Sequence, residues 1–241
     1  MSSAFLGELL GTMTLILLGN GVVACVSLKG SYGQGAGWLA ITTGWGLAVL
    51  AGVLVALVVG SNAHINPAVT IGVSIVTGEW SHVGTYVSAQ LLGAIIGATL
   101  VWLHYYPHWA GTENPDSKRA CFCTAPAIRH VPANIGSEVI GTFVLVFVAA
   151  AIFSEQLAPG GLDPGMGPFL VGLLVWSIGV SLGGPTGYAI NPARDLGPRI
   201  AHALLPIAGK GSSGWDYAAV PVIGPLIGAV LAGLAVSVLN I

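Results

Sequence analysis

Six stretches of the chain are apolar and almost free of charge, and polar or turn-forming residues separate them. Each is long enough to cross a membrane as a helix, which takes about 20 residues for about 30 Å of hydrocarbon. The pattern therefore predicts six membrane-spanning helices. They cover residues 4–28, 36–60, 83–106, 134–154, 166–186 and 217–240.

Two shorter apolar stretches each follow an Asn-Pro-Ala sequence. Asn is a preferred helix N-cap and Pro suits the first helical position, so each copy predicts a helix start. Neither helix is long enough to span a bilayer, and both must be surrounded by the six long ones, because backbone polar groups need partners at membrane depth. The copies are Asn66, Pro67 and Ala68 in the first half of the chain and Asn191, Pro192 and Ala193 in the second.

The chain contains an internal repeat. Glu8 and the Gly-Thr pair that follows it recur 130 positions later at Glu138, and the Asn-Pro-Ala copies lie 125 positions apart. Glycine pairs at four-residue spacing recur as well, and small residues at this spacing favour close helix packing. Each half has three spans and one half-helix, so the halves must be inverted and their half-helices must meet at the membrane midplane.

We therefore predict an all-α membrane protein with a single channel domain over 1–241. Repeat 1 covers 1–106, a linker predicted to be a surface loop covers 107–133, and repeat 2 covers 134–241. A pair of interrupted helices at matching positions indicates a site near the midplane.

Composition excludes several classes of function. Charged residues are 7% of the 241 and hydrophobic residues 54%, which is typical of membrane proteins. The net charge of −2, without a long basic run, argues against nucleic acid as a partner. The three cysteines match no metal or disulfide pattern. We expect no metal, no cofactor and no enzymatic chemistry.

Two carboxylates fall inside apolar segments, Glu8 and Glu138. A charge at this depth marks a functional site, such as a proton relay, or a buried hydrogen-bond acceptor. Because the two occupy matching positions in the repeats, we favour acceptors of N–H groups from the irregular chain before each half-helix.

The two asparagines could be N-caps alone. However, two helix N-termini meeting at the midplane concentrate positive charge, which repels cations and protons, and the amides could donate to a passing solute. Arg194 follows the second copy, where an arginine is costly unless it faces a wet path. We favour pore lining over an interfacial arginine.

These motifs give the chain a resemblance to the aquaporin superfamily, the major intrinsic proteins, and within it to the glycerol-facilitator (aquaglyceroporin) branch. The resemblance implies six spans with two re-entrant half-helices and a homotetramer with one pore per chain. It implies a selectivity filter of Trp45, Gly179, Tyr188 and Arg194. Residues similar to the glycerol branch are Asp195, Arg199, Pro221 and Val222.

In this filter Gly179 is expected to leave room for the carbon backbone of a solute. The aromatic faces of Trp45 and Tyr188, opposite the arginine, are expected to contact the C–H groups of that solute. Trp38 and Trp80 are interpreted as ordinary core or interface aromatics, and His64 as a residue that braces its loop. By resemblance, backbone carbonyls line the path at Asn62, Ala63, His64, Ile65, Gly187, Tyr188, Ala189 and Ile190.

The expected function is passive conduction of small uncharged solutes through a lipid bilayer, chiefly glycerol and possibly water, with ions and protons excluded. Tyr188 stands where many glycerol facilitators have Phe. Its hydroxyl leaves open undissociated lactic acid, dihydroxyacetone, urea or hydrogen peroxide. A water-selective pore and, from another class, a coupled secondary transporter remain alternatives.

The expected location is the plasma membrane, as a multi-pass protein. The resemblance places both termini in the cytoplasm. The basic residues favour the opposite orientation, because all seven Lys and Arg lie in the odd-numbered loops or the second half-helix.

Overall fold

A computed structural model describes residues 3–241, and within this range every regular element is helical. Six long helices are α1 (Ser3–Ser27), α2 (Gly37–Val59), α4 (Val83–His104), α7 (Val131–Ile152), α8 (Met166–Leu182) and α10 (Val220–Leu239). Two half-helices are α3 (Pro67–Thr77) and α9 (Pro192–Leu204). Short helical elements are α5 (Tyr106–Gly111), α6 (Pro115–Ala120) and a 3₁₀ turn, Trp215–Tyr217.

The six long helices confirm the predicted spans. Five are long and apolar enough to cross a membrane. α8 has 17 residues, at the lower end of the spanning range, and it ends at Leu182 because Gly183, Gly184 and Pro185 follow. The chain is an integral, multi-pass membrane protein.

Matching helices of the two halves pack in the same way through their glycines. A Cβ on Gly97 of α4 would lie 2.6 Å from the backbone oxygen of Met13 in α1. In the second half, a Cβ on Gly224 of α10 would lie 2.5 Å from the Cβ of Glu138 in α7. These distances leave no room for a side chain, so glycine sets how closely each pair of helices approaches.

The prediction of a plain surface loop for 107–133 is wrong. This segment contains α6 and most of α5, and α7 begins at Val131 because His130 caps it and Pro132 suits a first turn. Trp109, Phe122 and two cysteines in it are buried. The Asn20 amide of α1 donates to the carbonyl of Phe122 at 3.4 Å, which ties the segment to the helix bundle.

We predict that Gly97→Ala lowers the stability of the fold by about 1–3 kcal/mol, because overpacking must shift the backbone of α1 or α4. The measurement is the unfolding midpoint of the purified protein in detergent. Gly21→Ala in α1 is the matched control, since a Cβ there meets nothing within 4 Å. Equal midpoints for the two variants would contradict this account of the packing.

Candidate functional site

The two asparagines cap the half-helices, as the sequence predicts. Asn66 is extended, and its side-chain oxygen accepts from the amide of Ala68 at 2.8 Å. The oxygen of Asn191 accepts from the amides of Ala193 and Arg194 at 3.0 and 3.1 Å. In both cases the proline that follows begins the helix.

The same asparagines join the two half-helices by reciprocal hydrogen bonds. The amide of Asn66 donates to the carbonyl of Ile190 at 2.8 Å, and the amide of Asn191 donates to the carbonyl of Ile65 at 2.9 Å. The N-termini of α3 and α9 therefore lie against each other, as the inverted repeat predicts. Each side-chain amide has two N–H groups, so one of each remains for a solute.

Each irregular loop before a half-helix is bound by a buried carboxylate. Glu8 accepts from the backbone amides of His64 and Ile65 at 2.8 and 2.7 Å. Glu138 accepts from the amides of Ala189 and Ile190 at 3.0 and 2.8 Å. This is the acceptor geometry expected from their matching positions.

Further partners of these carboxylates were not among the residues predicted from sequence. Hydroxyls of Ser61 and Thr186 donate to Glu8 and Glu138 at 2.5 and 2.6 Å. These two residues are 125 positions apart, the spacing of the Asn-Pro-Ala copies, so the repeat could have revealed them. The amide of Gln90, which donates to Glu8 at 2.8 Å, had no such signal.

The loops adopt a strained backbone. Four residues other than glycine have positive φ angles between 39° and 56°, a region that L-amino acids rarely adopt. Such conformations cost about 1–3 kcal/mol each and persist only where neighbouring contacts hold them. The glutamate hydrogen bonds provide that support. The four residues are Ala63, Ile65, Tyr188 and Ile190.

The backbone carbonyls of these loops differ in whether a protein group already donates a hydrogen bond to them. Those of Ile65 and Ile190 accept from the opposite asparagine. None of the hydrogen bonds within residues 3–241 uses the other predicted carbonyls as acceptors. They remain free to accept from a solute. These are the carbonyls of Asn62, Ala63, His64, Gly187, Tyr188 and Ala189.

A cavity of about 590 Å³ passes along both loops. Its lining includes Phe153, Ser154 and Ile241 as well as Asn66 and Asn191. All of the predicted carbonyl and filter residues line it except Gly187 and Gly179, and of the two Asn-Pro-Ala copies only the asparagines line it. The remaining wall is mainly aliphatic, from residues that include Leu15, Val49, Val53, Val69, Val73, Leu145, Val146, Val171 and Val175.

Three of the four predicted filter residues line this cavity together, Trp45, Tyr188 and Arg194. The guanidinium carbon of Arg194 lies 3.8 Å from the centroid of the Trp45 ring. The expectation that both aromatic faces stand opposite the arginine is therefore wrong for Trp45, whose face is covered by the cation. Both residues are over 90% buried, which strengthens a cation–π contact.

Gly179 has a different role from the one expected. A Cβ at this position would lie 2.7 Å from Cζ of Tyr188, so the space beside Gly179 is filled by the Tyr188 ring and not left for a solute. The ring also packs edge-on against Trp38, with centroids 5.8 Å apart. The indole N–H of Trp38 donates to the carbonyl of Gly179 at 3.1 Å. Trp38 is thus a positioning residue, which corrects its interpretation as an ordinary interface aromatic.

His64 braces its loop, as expected. Its Nδ1 lies 3.2 Å from the hydroxyl of Thr70, and its ring packs edge-on against Tyr86 at a centroid distance of 4.9 Å. The imidazole therefore connects the loop to α3 and α4, and it lines the cavity beside Asn66.

The residues that resemble the glycerol branch lie outside the cavity lining. Asp195 and Arg199 form a buried ion pair at 2.7 Å. Asp195 also accepts from the amide and hydroxyl of Thr124 at 2.7 Å, so the pair attaches the linker segment to the second half-helix. Pro221 and Val222 lie in the first turn of α10.

Six spans surround two half-helices that meet at their N-termini, and free backbone carbonyls lie along the cavity beside them. This arrangement defines the class of membrane channels with inverted repeats. The sequence model of the family described as "Major intrinsic protein" matches residues 1–236. The chain belongs to the major intrinsic protein family.

Its similarity to particular members extends over nearly the whole chain. It is 57% identical to the "Probable glycerol uptake facilitator protein" of Thermotoga maritima over 95% of this chain and 96% of the relative. It is 52% identical to the "Glycerol uptake facilitator protein" of Bacillus subtilis over 96% and 83% of the two chains. The aquaglyceroporin structure from Plasmodium falciparum superposes with a TM-score of 0.85, at 32% identity, over 98% of this chain and 95% of that one.

We predict that Glu138→Gln lowers the yield and stability of the folded protein more than it changes selectivity. The amide nitrogen of Gln cannot accept, so at least one buried N–H loses its partner, at a cost of about 1–3 kcal/mol. The measurement is the yield of monodisperse protein and its unfolding midpoint. Glu113→Gln is the control, since Glu113 is exposed. A Glu138→Gln variant that folds normally and loses a proton flux present in the wild type would favour a relay.

Proposed function

We propose that this protein is a passive channel for glycerol in a lipid bilayer. The observation that supports this most directly is the cavity that joins the filter residues to both asparagines, with free carbonyls and aliphatic side chains in its lining. A polyol presents hydroxyls and C–H groups, and such a wall offers both hydrogen-bond acceptors and apolar contact. The names of the relatives support the same solute.

The proposed selectivity filter consists of Trp45, Tyr188 and Arg194, with Gly179 as the residue that seats the tyrosine ring. Conduction requires that ordered polar groups replace the hydration of the solute without holding it tightly. The carbonyls before the half-helices and the free N–H of each asparagine supply these groups in the proposed pathway. Water is small enough to pass through the same pathway and to form hydrogen bonds with the same groups.

We treat 1–241 as one channel domain, with repeats over 1–106 and 134–241 joined by the linker segment, and propose a homotetramer as in the family. The proposed location is the plasma membrane. No step of conduction needs a cofactor or a covalent reaction, and we propose no enzymatic activity.

We place both termini in the cytoplasm. The basic residues that favour the opposite orientation mostly have local partners. Lys118 donates to the carbonyl of Ala208, which follows the second half-helix, and Lys210 donates to the carbonyls of His202, Ala203 and Leu205 at the end of that helix. Arg119 and Arg129 pair with aspartates at 3.0 and 2.5 Å. These contacts give four of the cations local structural roles.

Liposomes that contain the purified protein are predicted to take up glycerol down its gradient when no ion gradient is imposed. The measurement is light scattering during osmotic swelling, against protein-free liposomes. Absence of glycerol flux until a driving ion is supplied would contradict the proposal and favour a secondary transporter. Strong water flow with glycerol excluded would favour a water-selective pore.

Gly179→Ala gives a matched test of the filter. The added Cβ would push the Tyr188 ring towards the cavity and reduce glycerol flux severalfold. Gly184→Ala is the control, since a Cβ there meets nothing within 4 Å. Equal glycerol flux through the two variants would place the filter elsewhere.

A further inference from the structure

One ring nitrogen of His64 is left without a protein partner. The residue is half-buried, and its Nδ1 lies 3.2 Å from the hydroxyl oxygen of Thr70. Its Nε2 forms no hydrogen bond within residues 3–241, and it is not among the buried polar atoms that lack a partner there. Nε2 is therefore accessible to solvent. Because His64 lines the cavity, this atom is available to a solute in it.

Whether Nε2 donates or accepts depends on which ring nitrogen carries the proton. A neutral imidazole has one N–H group and one acceptor nitrogen. The ring is neutral, since a charge at membrane depth is costly and none of the ion pairs within residues 3–241 includes it. The position of the proton then follows from the hydrogen bonds that surround Nδ1.

These hydrogen bonds begin at Glu8, which fixes the orientation of the Gln90 amide. The carboxylate accepts from two backbone amides and a hydroxyl, and it also accepts from the side-chain nitrogen of Gln90 at 2.8 Å. The amide oxygen of Gln90 cannot occupy this place, because it would face another acceptor. The second N–H of Gln90 then donates to the hydroxyl oxygen of Thr70 at 3.1 Å.

The hydroxyl of Thr70 in turn fixes the proton on the imidazole. It has one proton and two lone pairs, and Gln90 donates to one of these lone pairs. The backbone carbonyl of Asn66, 3.1 Å away, can only accept, so it receives the hydroxyl proton. The second lone pair faces Nδ1 of His64, and this contact is a hydrogen bond only if Nδ1 carries the proton. Nε2 is therefore an acceptor.

An acceptor at this position complements the donor two residues later. Asn66 donates one side-chain N–H to the carbonyl of Ile190 and retains the other, and it lines the cavity together with His64. A solute hydroxyl can accept from the amide and donate to the imidazole, and two neighbouring hydroxyls of a polyol can share these partners. The second repeat has no equivalent acceptor, because Ala189 occupies the position 125 residues after His64.

We propose that Nε2 of His64 is a hydrogen-bond acceptor for solutes in the cavity, which makes His64 a residue that determines specificity for solutes with O–H or N–H donors. Thr70 and Gln90 are positioning residues, because they fix the ring tautomer without lining the cavity. This inference rests on the proposed channel function. It adds to the role of His64 in bracing its loop, which Nδ1 fulfils.

The tautomer can be read by nitrogen NMR of isotope-labelled histidine in lipid nanodiscs at neutral pH, with the His64 signals assigned by their loss in His64→Phe. We expect a protonated Nδ1 and an unprotonated Nε2. Addition of glycerol should shift the Nε2 resonance and leave that of Nδ1 in place, a response that a purely structural histidine would not give. A proton on Nε2, or an Nε2 resonance that ignores glycerol, would overturn the proposal.

Thr70→Val removes the acceptor of Nδ1 and should move the proton to Nε2. A solute hydroxyl then meets a second donor in place of an acceptor, and glycerol flux into liposomes should fall about fivefold, as expected for one net hydrogen bond. Thr70→Ser retains the hydroxyl and should keep the wild-type tautomer and flux. Thr99→Val is the matched control, since the Thr99 hydroxyl donates only to a carbonyl of its own helix.

An altered tautomer with unchanged flux in Thr70→Val would overturn the binding role of Nε2, and an unaltered tautomer would overturn the positioning role of Thr70. If that variant does not fold, His64→Phe decides. It keeps a ring against Tyr86 and loses the acceptor, so glycerol flux should fall about fivefold. His82→Phe is its control, because His82 stacks on Tyr86 but does not line the cavity. Equal flux through these two variants would overturn the proposal.

Failure of the proposed function would give a different result. Wild-type liposomes without glycerol flux would contradict the channel, whichever ring nitrogen of His64 carries the proton. Wild-type liposomes that conduct glycerol, from a protein whose His64 carries its proton on Nε2, would overturn this inference alone.

Discussion

The structure depends on the reciprocal hydrogen bonds between Asn66 and Ile190 and between Asn191 and Ile65, at 2.8 and 2.9 Å. A membrane tolerates irregular backbone only where protein or a polar cavity surrounds it. Here two such loops meet, and each gives the other a donor and an acceptor. Glu8 and Glu138 support the loops from behind, each bound to two backbone amides and one hydroxyl. The strained positive φ angles persist because these contacts fix them.

In the proposed function, exclusion of ions depends on the half-helices and Arg194, and the choice among neutral solutes depends on the filter. Each half-helix contributes about half a positive charge at its N-terminus, and Arg194 adds a full charge nearby, so cations meet an unfavourable potential. Anions face the loss of hydration along an aliphatic wall. Neutral solutes avoid both costs, and the choice among them then depends on the filter. There Trp45 and Arg194 stack on each other, and the tyrosine ring over Gly179 presents its hydroxyl beside the passage.

Much of this could be predicted from the sequence because the relevant signals are local or repeated. Span lengths follow from hydropathy, half-helix starts from the Asn-Pro-Ala copies, and the acceptor role of Glu8 and Glu138 from their matching positions. The remainder depends on side-chain directions between segments distant in sequence. The ring of Tyr188 over Gly179 and the Trp38 hydrogen bond, 141 positions apart, follow from the packing of α2 against α8 and the loop after it.

The linker segment shows a second limit of sequence patterns. Its prolines and charges are typical of a loop, yet Pro115 begins a short helix, and Asn114 caps it through two backbone amides. Phe122 is buried because α1 and α9 are adjacent, with Asn20 and His202 both touching it. Gln90 had no counterpart in the repeat that would single it out, since Pro221 occupies the matching position 131 residues later.

The most direct test of the account follows glycerol and protons in the same liposomes, with a pH-sensitive dye inside and a proton gradient imposed together with a glycerol gradient. Opposed half-helices with Arg194 beside them predict that glycerol equilibrates while the proton gradient decays no faster than in protein-free liposomes. A proton flux that accompanies glycerol and depends on the protein would contradict the account.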